Sequence, residues 1–203
     1  MKAEHRTILV RKYARNIART YREAPAKVRN RACDWYEVES DKLADLALEL
    51  GLPFRSVCGA AAAISPGMRW ELVPGYVDAI WRNDGAVQVP TYSRLFVERA
   101  LGCLRGENPD DVLGGPKVRA FYALLYTRGQ SDSVVIDGHA FNIARGERAP
   151  LRGKVPAAAR VSIARYRMAE EAYRIAAARL GVAPHAVQAV TWTHWRIAQG
   201  VTE

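Results

Sequence analysis

Two short stretches, Leu113-Gly114-Gly115-Pro116-Lys117 and Val135-Ile136-Asp137-Gly138-His139, decide how this chain is read. Paired glycines make a tight turn, and proline directly after them suits the first position of a helix. That helix carries Val118, Phe121, Leu124 and Leu125 at helical spacing. A loop over Gly129–Ser133 follows, then a short apolar run from Val134 to Ile136. Asp137 stands where its side chain can cap a helix over Gly138–Arg145. The pattern is helix, glycine turn, helix, loop, apolar run, and an acid at the next helix start.

Working outward, the same signals recur. Toward the N-terminus, Asn108-Pro109-Asp110 opens a short turn ending at Leu113, and Thr91 or Ser93 caps a helix to Leu104 that Gly106 stops. Phe54–Ile64 is a helix rich in small residues, closed by Ser65-Pro66-Gly67. Met68–Asp84 is ambiguous, with Pro74-Gly75 inside it. One helix is expected from near Pro25 to Gly51, and another from Glu4 to Arg22, where Ile8, Leu9, Tyr13, Ile17 and Tyr21 recur near every 3.6 residues. Toward the C-terminus, Gly146–Pro156 is a loop, Ala157–Leu180 a long helix ended by Gly181, and Ala183–Gln199 the last helix. No repeat or useful β-alternation appears. The expected fold is an all-α bundle of about nine helices, divided into a basic helical arm over 1–31 and one domain over 32–203.

The 203 residues carry a net charge of +9, and Met1–Arg31 holds ten Lys or Arg against Glu4 and Glu23. A basic segment on an almost neutral remainder points to a polyanionic partner, with Arg11, Lys12, Arg15 and Arg19 as phosphate contacts; a merely solubilising helix is the alternative. Removing Met1–Arg22 should then flatten the salt dependence of DNA affinity. No apolar run reaches the roughly 18–20 residues that span a bilayer, and no secretory signal is visible, so a cytoplasmic protein without a membrane partner is expected. Cys33, Cys58 and Cys103 form no CxxC pair, and His5, His139, His185 and His194 have no metal spacing. No metal and no cofactor is expected, and the cysteines read as reduced, partly buried thiols. A monomer is favoured.

The motifs Ile64-Ser65-Pro66 with Trp70, Gly115-Pro116-Lys117, Ile136-Asp137 with His139, and Thr191-Trp192 with Trp195-Arg196 together resemble the helix-hairpin-helix DNA glycosylase superfamily, whose members include endonuclease III and the 8-oxoguanine glycosylases. The likeness is greatest to small bacteriophage-type members and covers roughly 43–145. In that family a pocket residue follows the glycine hairpin, and an aspartate ends an apolar run about twenty positions later; Lys117 and Asp137 stand at those places. The resemblance implies a DNA N-glycosylase that flips a damaged or modified nucleotide and cleaves its glycosidic bond, with Schiff-base lyase activity if Lys117 is the nucleophile. A phage base-modifying transferase and a non-catalytic DNA-binding module are the alternatives. The chain departs from the family in its Leu-Gly-Gly-Pro-Lys hairpin, in lacking the endonuclease III cysteine cluster, and in Gly138 after the acid.

The residue chemistry stands beside this. The exposed amides of Gly114 and Gly115 at a helix start suit a phosphate, or simply form a turn. Lys117 in a first turn is disposed to lose its proton and act as a nucleophile, or else to contact phosphate. Asp137 stabilises an oxocarbenium-like sugar, acts as a base, or caps its helix. His139 contacts phosphate, orients Asp137, or packs. An extruded base needs a sandwich, for which Trp70, Trp192 and Trp195 are candidates with Gln188 as a base-edge reader, although most tryptophans serve the core. The expected geometry puts Lys117 and Asp137 in one DNA-facing cavity.

Overall fold

The computed structural model describes residues 3–90, 93–149 and 161–200. Among them are α1 (Ala3–Glu23), α2 (Ala26–Ala32), α3 (Trp35–Leu50), α4 (Phe54–Ile64), α5 (Val73–Arg82), α6 (Arg94–Leu104), α7 (Pro109–Val112), α8 (Pro116–Tyr126), α9 (Gly138–Arg145), α10 (Ile163–Leu180) and α11 (Pro184–Ile197), with a 3-10 turn at Trp70–Leu72. The all-α expectation holds among these residues. Eleven α-helices replace the expected nine, because Cys33 and Asp34 divide the helix expected after Pro25 and because α5 forms inside the ambiguous stretch. Ser93 is the cap of α6, its hydroxyl accepting from the Leu95 amide at 3.3 Å. Thr91, the other capping candidate, lies outside the described residues. α10 starts later than expected, where Ser162 caps it from the Arg165 amide at 3.4 Å. The earlier part of that expected helix, 157–160, is also outside the described residues.

The chain divides into two compact units. The first takes the residues up to Trp35 together with those from Asp132 onward; the second takes Tyr36–Ser131. The first unit has a core of Val10, Tyr13, Ala14, Ile17 and Ala18 from α1, Phe141, Ile143 and Ala144 from α9, and Tyr166, Ala169, Ala172, Tyr173 and Ala176 from α10. The alanines on α10 recur at three- and four-residue steps, which brings the backbone of α1 close. Tyr13 meets Phe141 edge-on at 6.2 Å. The buried Tyr166 hydroxyl donates to the Val134 carbonyl at 2.7 Å and so anchors the apolar run before α9. Asn16 donates to the Ala144 carbonyl at 2.9 Å, satisfying one of the unpaired acceptors at the end of α9.

The expected arm over 1–31 is therefore not what is seen. The aliphatic and aromatic stripe of α1 is sealed into the core, so the first helix belongs to the body of its unit. A period of 3.6 in a basic segment shows that one face is apolar; what covers that face lies more than a hundred residues away in sequence.

In the second unit, α4 is buried from Ser56 to Ile64 and is packed by α5, α6 and α8. Gly59 is needed there, since a Cβ would lie 2.8 Å from the Pro109 ring and 2.9 Å from the Cys103 sulfur. Its absence lets α6 and α7 close on α4. Cys58 and Cys103 are buried free thiols and Cys33 is half-buried. Burial pushes the Cys103 thiol up to about 12, so it is unreactive near neutral pH.

Candidate nucleic-acid interface and carboxylate site

In the first unit, Asp137 is the N-cap of α9, as its position in the sequence predicts. One carboxylate oxygen accepts from the Ala140 amide at 2.8 Å. The other accepts from the indole N–H of Trp192 at 2.9 Å. The group is half-buried at a helix N-terminus, where the backbone dipole favours its negative charge. Trp192 is thus a hydrogen-bond partner of the acid, a pairing across 55 residues that no local pattern signals.

Around this pair stand two further groups. The His139 ring meets Trp192 edge-on, with centroids 6.1 Å apart. The Arg196 guanidinium lies over the Trp192 ring at 4.3 Å, a cation–π contact within α11. Arg196 was visible only as part of a motif; its signal is a cation four residues after a tryptophan on one helix. Trp195 carries a second such cap, the Arg148 guanidinium at 5.0 Å, while its indole N–H is buried without a hydrogen-bond partner among the described residues. Gln188 is 5% exposed, which leaves its amide no open path to a base edge.

The buried His139 Nδ1 also lacks a hydrogen-bond partner among the described residues. Burial lowers the pKa of this imidazole from its ordinary 6.5, against the opposite pull of Asp137. His139 is therefore neutral at pH 7. Below pH 6.5 the unfolded chain takes up a proton that the folded His139 resists, so stability falls as the pH drops through that window. The denaturation midpoint is expected to fall between pH 7 and pH 5, and to fall less in His139→Gln. Equal losses in both proteins would remove His139 as a cause.

The solvent face of α1 is the clearest surface in this unit. From Arg11 to Arg22 every exposed side chain is Arg or Lys, namely Arg11, Lys12, Arg15, Arg19 and Arg22. Arg19 approaches Glu23 at 3.8 Å, an exposed contact of little strength. Charge also divides between the units. Residues 1–35 and 132–203 carry twenty Lys or Arg against nine Asp or Glu, a net +11, while residues 36–131 carry ten against twelve, a net −2.

In the second unit, the glycine hairpin has the expected form. Gly115 takes φ +74°, a conformation that disfavours side chains, and Pro116 opens α8 after it. At Gly114 a Cβ would lie 2.7 Å from the Arg99 guanidinium, the far end of a flexible side chain that can swing aside. Arg119 donates through Nε to the Leu113 carbonyl at 2.9 Å and ties the turn to the helix. Arg99, Lys117 and Arg119 are thus three cations around this turn, and Lys117 is half-buried in the first turn of α8. Trp70 donates from its indole to Glu39 at 2.8 Å and meets Phe121 edge-on at 5.3 Å, both packing roles within this unit. Lys117 and Trp70 belong to the second unit; Asp137, His139, Gln188, Trp192 and Trp195 belong to the first.

Among the described residues no group of His, Cys, Asp and Glu is placed to hold a metal ion, and no single helix is long and apolar enough to cross a membrane. Neither a curated protein nor a solved structure matches the chain. A family model does match it, over residues 1–199, and the chain belongs to that family, DUF7178, a family of unknown function.

Proposed function

We propose that this protein binds DNA through α1 and the glycine hairpin, and that Asp137 serves cleavage of an N-glycosidic bond. The observation that carries the reading is the fixed carboxylate of Asp137. It is half-exposed, held through both oxygens, and sits in the unit that carries +11. A carboxylate so held faces developing positive charge without having to reorganise, which is what an oxocarbenium-like sugar requires. In the hydrolytic reaction the C1′–N bond breaks, its electron pair leaves with the base, and water adds to C1′ and gives up a proton. Asp137 stabilises the cation between these events. A lyase variant would use the amine of Lys117, in the second unit, as its nucleophile: the amine adds to C1′ as the base leaves, loses a proton, and opening of the C1′–O4′ bond with protonation of O4′ gives the Schiff base.

The test is incubation with duplexes bearing assorted damaged and modified bases, scored for abasic product and for borohydride-trapped adduct. Abasic product supports the glycosylase, and an adduct that disappears in Lys117→Gln supports the lyase variant. A second reading, a DNA-binding module without catalysis, is favoured by one observation: capping α9 already occupies Asp137 Oδ1. Tight binding without product on any duplex would establish it.

A further inference from the structure

We propose that the outer face of α3 is a docking surface for the α1 helix of a second copy of this chain. Between Glu37 and Glu49 the exposed residues of α3 are Glu37, Val38, Asp41, Lys42, Asp45, Leu48 and Glu49. Lys42 is paired with Glu39 at 2.8 Å. What remains outward is a row of four carboxylates at four-residue steps, of which Asp41 is already paired with the Arg128 guanidinium while Glu37, Asp45 and Glu49 are not, flanked by two aliphatics; Val38 is 50% exposed and Leu48 81%. Like charges at that spacing repel along a helix, and an exposed leucine among them gains nothing from solvent. A partner offering cations at the same spacing relieves both.

The chain itself supplies that partner. Arg11, Arg15 and Arg19 recur on α1 at the same four-residue step, with Lys12 and Arg22 beside them and Ile8 61% exposed at the end of the row. On each helix the step is about 6 Å and the row about 16–18 Å long. Two helices that each present such a ridge interlock at a crossing near −50°. The net charges of the two units, +11 and −2, favour the same pairing of the first unit of one copy with the second unit of another. The contact joins unlike faces, so a pair held by one contact leaves one α1 and one α3 open, which either meet each other and close the pair or take up further copies. Since α1 also carries the proposed DNA contact, DNA and a second copy exclude one another on that helix. This consequence rests on the DNA reading; the docking itself does not.

Salt sets the window. The net +9 of each copy repels over long distances, whereas paired groups at contact are screened less. Sedimentation of the full chain at up to about 300 µM should show the average mass rising from 22.5 kDa to about twice that or beyond near 0.1 M salt, and returning to 22.5 kDa near 1 M. Glu37→Lys/Asp45→Lys/Glu49→Lys and Arg11→Glu/Lys12→Glu/Arg15→Glu should each be monomeric alone. Their equimolar mixture should associate again, since each reversed face meets an opposite one. A wild-type protein that stays at 22.5 kDa throughout the salt series would overturn the proposal, and that measurement needs no variant. Association that survives either reversal, or a mixture that stays monomeric, would overturn it equally.

Discussion

With α1 holding duplex DNA as proposed, replacing Arg11, Lys12, Arg15 and Arg19 with glutamine is expected to lower affinity on the order of 10³-fold near 0.1 M salt, and to flatten the slope of log K against log salt by about 3.6. The figure follows from counterion release, at about 0.9 in slope for each phosphate neutralised. All four side chains are exposed, and their helix is held by its opposite face through Tyr13, Ala14 and Ile17. Exposed substitutions of this kind change stability by about 0.5 kcal/mol or less each, so the fold should persist. Deleting Met1–Arg22, which the sequence alone recommends, is the wrong experiment. It would remove Val10, Tyr13, Ala14, Ile17 and Ala18 from the first unit's core and unfold the protein whose binding is being measured. Equilibrium titrations at several salt concentrations check the prediction, and an unaltered slope would take α1 off the DNA.

The comparison of deletion with substitution shows where local sequence stops informing. α4 and α9 were legible almost residue by residue, because each is bounded by its own chemistry, Pro53 and Ser65, Asp137 and Gly146, whereas for α8 only the start after Gly115 was marked. The break between α2 and α3 was not, since Cys33-Asp34 is neither Pro nor Gly and nothing in the apolar period marks it. The division of the chain was hidden for a stronger reason. The first unit is built from both ends of the sequence, and α1 buries its stripe against helices that come after residue 132. Periodicity reports that a face is apolar and is silent about its partner. The candidate site divides the same way. The cap by Asp137 and the turn at Gly115 are local and were visible. The indole of Trp192 on the Asp137 carboxylate is long-range, and no local pattern announces it.

That bond leads to the second large effect. Asp137→Asn is expected to lower glycosidic cleavage on the order of 10²–10⁴-fold while DNA affinity stays level or tightens. The carboxylate accepts at both ends, from the Ala140 amide and from the Trp192 indole. Asparagine has one acceptor. If its oxygen keeps the cap, its NH2 faces the indole N–H, donor against donor; turned over, it leaves the cap unmade. Either way one hydrogen bond is lost, at a stability cost of about 1 kcal/mol for groups that are only half-buried. That cost is small beside the lost charge, which in the proposed reaction stabilises the cationic sugar and would also repel a bound phosphate. Catalysis and binding should therefore move apart, which unfolding cannot produce. Trp192→Phe separates holding from charge, because it keeps a ring under Arg196 and the cap from Ala140 but removes the indole donor. Its turnover is expected to fall by about tenfold with KM nearly constant, as when a group is loosened but not deleted. Single-turnover cleavage and equilibrium binding on one duplex measure both quantities. Full activity in Asp137→Asn would leave the carboxylate as a helix cap and nothing more.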